Sequence, residues 1–499
     1  MARSLLRPVC LAAVRAAASR DRMKRHQGAL PSFAASLSAR AIRALGRVGV
    51  LLVAARLFPI DHVGEFAFLL GVGVLTAGIL DFGVTSFIQR EVGALGFDSA
   101  ALERQAFSLR LATLPLAVLL GWWIARLINP DLSISGLGTL VFTAALALAD
   151  FLAAVRRARG EFNLEPLEVG PALFGGIGAG LLVGLRGGGL PEFQWALAVG
   201  TVAFVLPRVF RLRTELRGRT AAHDGLGSPF SLAIRCRWFW FLAVGALLLF
   251  ELPVILLRLL AEPREVALYA SAARAVGLAS QPFLVLGGTF VPSLAFQARH
   301  NQPRYRESVR RLNAIYLAAL PAGLAAAVVG GSLLLRGFGA EYLQAMSVIW
   351  LLAVGTLVYL GPPYAGPLLV EGLERRIAEL VAIAAAAAAA LCFILVPERG
   401  AVGAGLAVLF AFTLGEIGHV VLYRHARLPL FHPLVLLGAA GLAGWAAGAL
   451  LAPFPLDWGL LLVGGTIGGG LAFLLLRRTA LFQVDGQVVD QSAAEPRAE

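Results

Sequence analysis

Four charged side chains lie within long apolar runs of this sequence and are its best candidates for chemistry. Arg47 and Arg274 are the basic pair, and Asp81 and Glu251 are the acids that residue counting places deepest in their runs. A charge at the centre of a membrane-spanning helix costs at least about 2.5–3.5 kcal/mol, so it is kept where it faces water, a partner or a ligand. We therefore take these four residues as the candidate site.

Each candidate also has a structural alternative. Arg47 and Arg274 could extend along the helix to the nearest interface, and Glu251 could form an ion pair with either arginine. Glu251 stands two residues before Pro253, and a proline that breaks a helix often lies beside a transport site. A buried carboxylate at Glu251 or Asp81 could bind a coupling proton or sodium ion.

The remaining polar residues give weaker signals. Glu416 and His419 have the spacing of metal ligands on one helix face, but no third ligand is near in sequence, so we expect no metal site there and an interfacial His419. We also expect Asp150 and Glu168 to be interfacial. The three cysteines are scattered and support neither a metal site nor a disulfide framework: Cys10, Cys236 and Cys392.

Glycine-rich segments do not indicate nucleotide binding. The segment GGIGAG at 175–180 lies inside an apolar run with no strand before it, so it favours close helix packing. No GxxxxGK[ST] motif occurs, which excludes ATP hydrolysis by such a loop. We expect no cofactor.

Composition indicates an integral membrane protein. Hydrophobic residues make up 58% of the chain, charged residues 15%, and the mean hydropathy is +0.78, against roughly 45–50% apolar and 25% charged in soluble domains. The net charge of +13 comes from arginines at the ends of apolar segments along the whole chain. That distribution is typical of loops on an anionic membrane surface and argues against nucleic-acid binding.

Counting apolar runs of about 20 residues predicts about 14 transmembrane helices. The expected spans are 44–58, 66–88, 107–127, 133–154, 166–185, 190–208, 236–257, 267–296, 313–335, 342–364, 377–396, 400–422, 433–452 and 457–476. If the termini are placed in the cytoplasm and the spans alternate, most of the 43 lysines and arginines fall in cytoplasmic segments. This agrees with the general enrichment of lysine and arginine in cytoplasmic loops. We therefore predict both termini to be cytoplasmic.

The chain also contains an internal repeat. Val63-Gly64-Glu65-Phe66-Ala67 aligns with Val266-Ala267-Leu268-Tyr269-Ala270, each at the corner of an apolar hairpin. A hairpin that recurs after six apolar segments predicts two pseudo-symmetric six-helix bundles in an all-α polytopic membrane protein. The expected organisation is a basic cytoplasmic arm at 1–43, bundles at 44–208 and 236–422, a cytoplasmic linker at 209–235, an extra helix pair at 433–476 and a cytoplasmic tail at 477–499.

The sequences of several segments resemble those of a transporter family. ARLFPIDHVGEFAF followed by DFGVTSFIQREVG in the first hairpin, LRGFGAEYLQAMSVIWLLAVGTLVYL at 335–360 and VPERGAVGAGLAVLFAF at 396–412 are similar to the polysaccharide and oligosaccharide-lipid flippases. These belong to the multidrug/oligosaccharidyl-lipid/polysaccharide (MOP) exporter superfamily. The resemblance covers roughly residues 38–425.

The resemblance implies two bundles around a central cavity, where a lipid-linked glycan crosses the bacterial inner membrane by alternating access. Such a substrate carries a diphosphate, and a guanidinium suits it because of its planar bidentate fork. Arg274 is therefore the favoured phosphate ligand, with Arg47 second. A proton or sodium gradient could drive transport.

The expected function is translocation of an undecaprenyl-diphosphate-linked oligosaccharide for surface or exopolysaccharide synthesis. The alternatives are a lipid-linked peptidoglycan precursor flippase, slightly favoured by the helix count but disfavoured by the sequence of the first hairpin, then a multidrug exporter, and last a membrane glycosyltransferase. The outer loops are too short for the catalytic residues of such an enzyme, so we expect no enzyme. Expected partners are the lipid-linked glycan, membrane lipids, and a polysaccharide polymerase with its assembly proteins.

Overall fold

The computed structural model describes residues 29–95, 100–218, 229–284, 294, 297–298, 301–360 and 365–428. The helices of the first half are α1 (Ala29–Leu57), α2 (Ile60–Ile79), α3 (Val84–Leu95), α4 (Ala100–Ile128), α5 (Gly136–Ala158), α6 (Glu165–Leu185) and α7 (Leu190–Gly218). Those of the second half are α8 (Pro229–Arg235), α9 (Arg237–Leu260), α10 (Pro263–Ala279), α11 (Gln302–Phe338), α12 (Met346–Leu360), α13 (Ala365–Val370) and α14 (Glu374–His425). The predicted helix pair at 433–476 lies outside the described residues.

The protein is an all-helical, multi-pass membrane protein. Among the described residues, eight helical stretches are long and apolar enough to cross a membrane. Large apolar side chains also cover outward faces, as on α4, where Leu119, Trp123 and Leu127 are 61%, 60% and 62% exposed at helical spacing. An apolar stripe of this kind is stable against lipid and costly against water.

Helix α2 lies at the centre of the molecule and joins its two halves. Beyond Glu65 its residues are almost all apolar on every side and most of them are buried, which is typical of a helix surrounded by protein. It packs against α4 and α5 of the first half and against α9 and α10 of the second half. Side chains from both halves consequently share one core.

The predicted span 66–88 is wrong as a single helix, because the chain turns between α2 and α3. Phe82 and Gly83 have φ values of 51° and 70°, in the left-handed region that favours glycine. Gly83 also lies so close to the backbone of Trp240 on α9 that a Cβ would not fit. Trp240 Nε1 donates a hydrogen bond to the carbonyl oxygen of Ile79 at 2.6 Å, which fixes the turn against α9.

Helix α14 consists of two arms, as the predicted spans 377–396 and 400–422 require. The backbone leaves helical geometry at Gly400 (φ 50°, ψ −130°), separating a first arm (374–399) from a second arm (401–425). The carboxylate of Glu265 on α10 accepts a hydrogen bond from the Ala401 N–H at 2.7 Å. This bond satisfies one of the free N–H groups at the start of the second arm.

The two halves meet at the end of the bundle that holds the α1–α2 and α9–α10 turns, which we call the corner end. Gly64 of α2 lies against the carbonyl of Pro263, where a side chain would collide. Arg56 Nε donates a hydrogen bond to the carbonyl oxygen of Gly337 at 2.6 Å. The repeated hairpin corners found in the sequence therefore pack against each other.

Candidate functional site

A cavity of about 210 Å³ lies between the two halves. The α2 residues that line it run from Leu70 to Gly78, in the half of α2 farther from the corner end, and Asp81 follows in the turn after α2. Its polar lining consists of Arg47, Asp81, Thr85, Arg110, Thr143, Asp150 and Arg274. Three of the four residues singled out from the sequence thus lie around one cavity, and the fourth, Glu251, holds one of them.

Arg274 and Glu251 form a bidentate ion pair that joins α10 to α9. Arg274 Nη1 and Nη2 donate hydrogen bonds of 2.9 and 2.8 Å to the two carboxylate oxygens of Glu251. The Glu251 side chain is 4% exposed and that of Arg274 20%. Because a guanidinium has five N–H donors, Arg274 keeps donors for a second acceptor. Of the predicted ion pairs for Glu251, the structure contains the one with Arg274.

Arg47 is held more loosely than Arg274. Its Nη2 lies 3.9 Å from Asp150 Oδ2, beyond hydrogen-bond distance, and its side chain is 45% exposed. Asp150 is shared with Arg43, whose Nε lies 3.2 Å from Oδ1. Arg47 therefore faces the cavity instead of extending to the interface, and its pairing with Asp150 leaves room for a ligand.

Asp81 and Arg110 stabilise the turn between α2 and α3. Asp81 accepts hydrogen bonds from the Thr85 N–H at 3.2 Å and the Thr85 hydroxyl at 2.6 Å, and its Oδ1 lies 3.5 Å from Arg110 Nη1. Arg110 Nη1 also donates to the carbonyl oxygen of Ala77 at 3.0 Å. Asp81 thus has a clear structural role beside its place in the cavity wall.

Sequence reasoning missed Arg110 and Asp150 as lining residues. Arg110 stands only three residues into the predicted span 107–127, where a charge is ordinary, but the helix begins ten residues earlier, at Ala100. Asp150 was expected at the interface, but it faces the cavity beside Arg47. The described lining contains three arginines and two aspartates. With Glu251, which lies behind Arg274, the group has three positive and three negative side chains and no net formal charge.

The end of the bundle opposite the corner end carries an ion-pair network on α5, which we call the arginine end. Arg156 donates to Glu168 at 3.0 Å and to Glu215 at 2.9 Å, and the Glu168 side chain is buried in this network at the end of the bundle. Burial lowers the pKa of Arg159, but hydrogen bonds to Glu103 and Glu215 outweigh it, so this pKa is raised overall. The network fixes α4, α5, α6 and α7 to one another.

Glu416 and His419 lie together inside the second half, away from the cavity lining. Glu416 Oε2 is 3.5 Å from His419 Nδ1, and the side chains are 6% and 4% exposed. The prediction that His419 is interfacial is therefore wrong. Within the described residues, no group of three or more possible metal ligands occurs.

Comparison with known proteins identifies the fold. No family model matches the sequence, and no curated protein matches it. Among solved structures, the lipid II flippase MurJ in an inward closed conformation has a TM-score of 0.58 at 12% identity, covering 89% of this chain and 97% of that chain.

Two structures of a multidrug resistance MATE family transporter of the MOP superfamily are similar to a comparable degree. The outward-facing one has a TM-score of 0.57 at 14% identity, covering 81% of this chain and 96% of that one. The inward-facing one has a TM-score of 0.54 at 15% identity, covering 77% and 94%. At these identities the likeness shows the fold, which is that of MOP-superfamily transporters, and the neighbours are transporters and flippases, not enzymes.

Proposed function

We propose that this protein is a flippase that moves an undecaprenyl-diphosphate-linked oligosaccharide across the bacterial inner membrane by alternating access, for surface or exopolysaccharide synthesis. The observation that carries the proposal is that Arg47 of the first half and Arg274 of the second half line the same cavity. A diphosphate between them would be held by both halves, so a movement of one half against the other changes how tightly it is held.

The charge pattern supports an orientation with the arginine end in the cytoplasm. Arg156, Arg157 and Arg159 follow the apolar part of α5 there, as positive charge on the cytoplasmic side requires. The cavity then lies in the cytoplasmic half of the molecule, where a lipid-linked glycan made in the cytoplasm would arrive. Cytoplasmic termini, as the sequence predicts, are part of this proposal.

The carboxylates around the cavity occupy the positions at the arginines that phosphate oxygens of a bound substrate would take. Asp150 lies beside Arg47, and Glu251 is bound to Arg274, so both arginines are partnered before the substrate arrives. Phosphate oxygens compete for the same donors. A proton or sodium ion at Glu251 would compete with Arg274 and free its guanidinium for the substrate; at Asp81 it would compete with Arg110 and Thr85.

A lipid-linked peptidoglycan precursor is the second candidate substrate, because the fold likeness to the lipid II flippase spans 89% of this chain. It carries the same diphosphate, so the two arginines would serve it equally. A multidrug exporter fits less well, since arginines that project into a cavity repel cationic drugs. A polysaccharide polymerase and its assembly proteins are the partners expected for the leading function.

The test uses purified protein in liposomes with a fluorescently labelled undecaprenyl-diphosphate oligosaccharide, whose movement between leaflets is read from its accessibility to a membrane-impermeant quencher. A second set of liposomes contains labelled lipid II. We expect Arg47→Ala to slow movement about tenfold or more, as loss of a charge-assisted hydrogen bond implies. The matched control is Arg375→Ala, which removes an exposed arginine.

Each outcome decides between the candidates. Movement of the oligosaccharide that depends on Arg47 supports the leading function. Movement of lipid II alone transfers the proposal to the second candidate. Wild-type rates in Arg47→Ala would show that the cavity arginine does not bind phosphate.

A further inference from the structure

The second arm of α14 buries two titratable side chains that the cavity does not use. Glu416 and His419 lie one helical turn apart on its buried face, with residue exposures of 5% and 3%. Both carboxylate oxygens of Glu416 and Nε2 of His419 are buried without a hydrogen-bond partner among the described residues. Buried polar atoms of this kind are rare and call for a physical reason.

The surroundings of the pair are aromatic and apolar. Tyr359 of α12 stacks on Phe412 with ring centroids 4.9 Å apart, and its ring centroid is 5.6 Å from that of His419. Phe412 in turn contacts Phe250 of α9, with centroids 5.4 Å apart. The pair therefore lies where an unbalanced charge is poorly solvated.

Within the part of the chain that the structure describes, no basic side chain other than His419 lies within ion-pair distance of Glu416. Tyr359 is the titratable group that faces it from α12. On α9 and α10, Glu251 and Arg274 are bonded to each other. The other charged groups of the packed elements are engaged elsewhere or exposed: Arg258 with Glu65, Glu265 with the Ala401 N–H, and Arg375 with Glu379.

A carboxylate in such a place is stable only if a cation neutralises it. No metal cluster occurs among the described residues, and the 3.5 Å between Glu416 Oε2 and His419 Nδ1 is too long for the short, charge-assisted bond of an imidazolium–carboxylate pair. The smallest cation that fits is a proton on the carboxyl group. His419 keeps a neutral imidazole beside it that can accept and pass on that proton.

We propose that Glu416 and His419 form a proton-binding site in the second bundle, with the proton on Glu416 in the state seen here, and that its release and uptake drive the movement of this bundle during transport. The coupling to transport rests on the proposed function; the proton site does not. Release leaves a carboxylate and a free proton, so the site gains one negative charge. That charge favours a conformation in which water reaches the second arm of α14.

The first experiment looks for the proton directly. Infrared spectra of the full chain in lipid nanodiscs at neutral pH should contain the carbonyl stretch of a protonated, buried carboxyl group. We expect Glu416→Gln to remove this band, and His419→Phe to shift it. Glu379→Gln, which changes an exposed carboxylate on the first arm, should leave it in place. A spectrum that Glu416→Gln leaves unchanged overturns the proton site, whatever the protein transports.

The second experiment measures the coupling, with the labelled undecaprenyl-diphosphate oligosaccharide in liposomes under an imposed pH gradient. The wild type and Glu379→Gln should respond to the gradient, whereas Glu416→Gln should move the probe at a rate independent of it. A wild type that moves the probe at one rate with and without the gradient overturns the coupling. If the infrared band is present but the wild type moves no probe, the proposed function fails and the proton site stands.

Discussion

Arg274 and Arg47 differ in how firmly a carboxylate holds them, and this difference decides what each substitution does. Arg274 is bonded through two nitrogens to a buried Glu251, whereas Arg47 is 3.9 Å from a half-exposed Asp150. Removing Arg274 therefore leaves a buried charge behind, whereas removing Arg47 leaves a carboxylate that water and Arg43 still reach. The proposed function gives the two arginines the same ligand role, but their structural roles differ.

The Arg274 prediction has two parts. Arg274→Ala should abolish transport and also lower membrane abundance, because breaking a buried ion pair on one side costs about 3–5 kcal/mol. The loss of abundance depends on the bond to Glu251, which the sequence leaves open as one of two possible ion pairs. Replacing both partners, as Glu251→Gln with Arg274→Met, should restore abundance and thermal stability without restoring transport of the labelled lipid.

Quantitative immunoblotting of membranes, thermal unfolding in detergent and the liposome assay give the three measurements. Transport by the double variant at the wild-type rate would mean that Arg274 is purely structural.

Sequence patterns located the cavity residues better than their partners. Arg47, Arg274 and Asp81 stand inside apolar runs, where a charge needs an explanation, and all three line the cavity. Arg110 and Asp150 stand near the ends of such runs, where a charge is ordinary. Which acid pairs with which arginine depends on contacts between distant helices, and residue spacing carries no information about them.

At the scale of elements, the turn between α2 and α3 shows what an apolar pattern hides. Residues 66–88 are apolar enough to predict one continuous helix, but the chain needs the left-handed conformation at Gly83 and contact with the backbone of α9. Hydrophobicity reports burial and not backbone conformation. Other helices extend beyond their apolar runs: α1 begins at Ala29 and α7 ends at Gly218, whereas the predicted spans begin at 44 and end at 208.

Gly83→Ala should destabilise the protein by about 2 kcal/mol or more, since a left-handed non-glycine residue costs roughly 1–2 kcal/mol and the new methyl group would press on α9. Gly178→Ala is the control, because open space surrounds that position on α6 and alanine is the better helix former. Thermal unfolding of the purified variants measures both. A Gly83→Ala protein as stable as the wild type would show that the turn can rearrange.

At the scale of the whole molecule, the two halves are held together at the corner end by contacts in which residues of the first half touch the backbone of the second half. Alternating access requires these contacts to part. In a variant without the native cysteines, a reducible cross-linker between Arg56→Cys and Gly337→Cys should therefore stop transport, and reduction should restore it. The control pair is Leu57→Cys with Gly184→Cys, which joins α1 to α6 within the first half. Full transport by the cross-linked Arg56–Gly337 pair would exclude opening at the corner end.

The repeated hairpin corners predict a division into two bundles, which stays a prediction, whereas the fold matches that of MOP-superfamily transporters, as the resemblance implies. How the bundles meet could not be predicted. Pseudo-symmetry gives the shape of each bundle, but the angle and register between them depend on which glycines permit close approach, such as Gly64 against Pro263. The helix pair at 433–476 stays a prediction.

The neighbouring carboxylates of Arg47 and Arg274 have a consequence for the unloaded carrier. A flippase that has delivered its cargo must travel back with nothing bound, and bare guanidinium groups would make that return costly in a low-dielectric environment. Asp150 and Glu251 stay beside the two arginines when no substrate is bound. Under the proposed function, the unloaded protein can therefore reset without a counterion from solution, because a carboxylate side chain takes the place of the departing phosphate at each arginine.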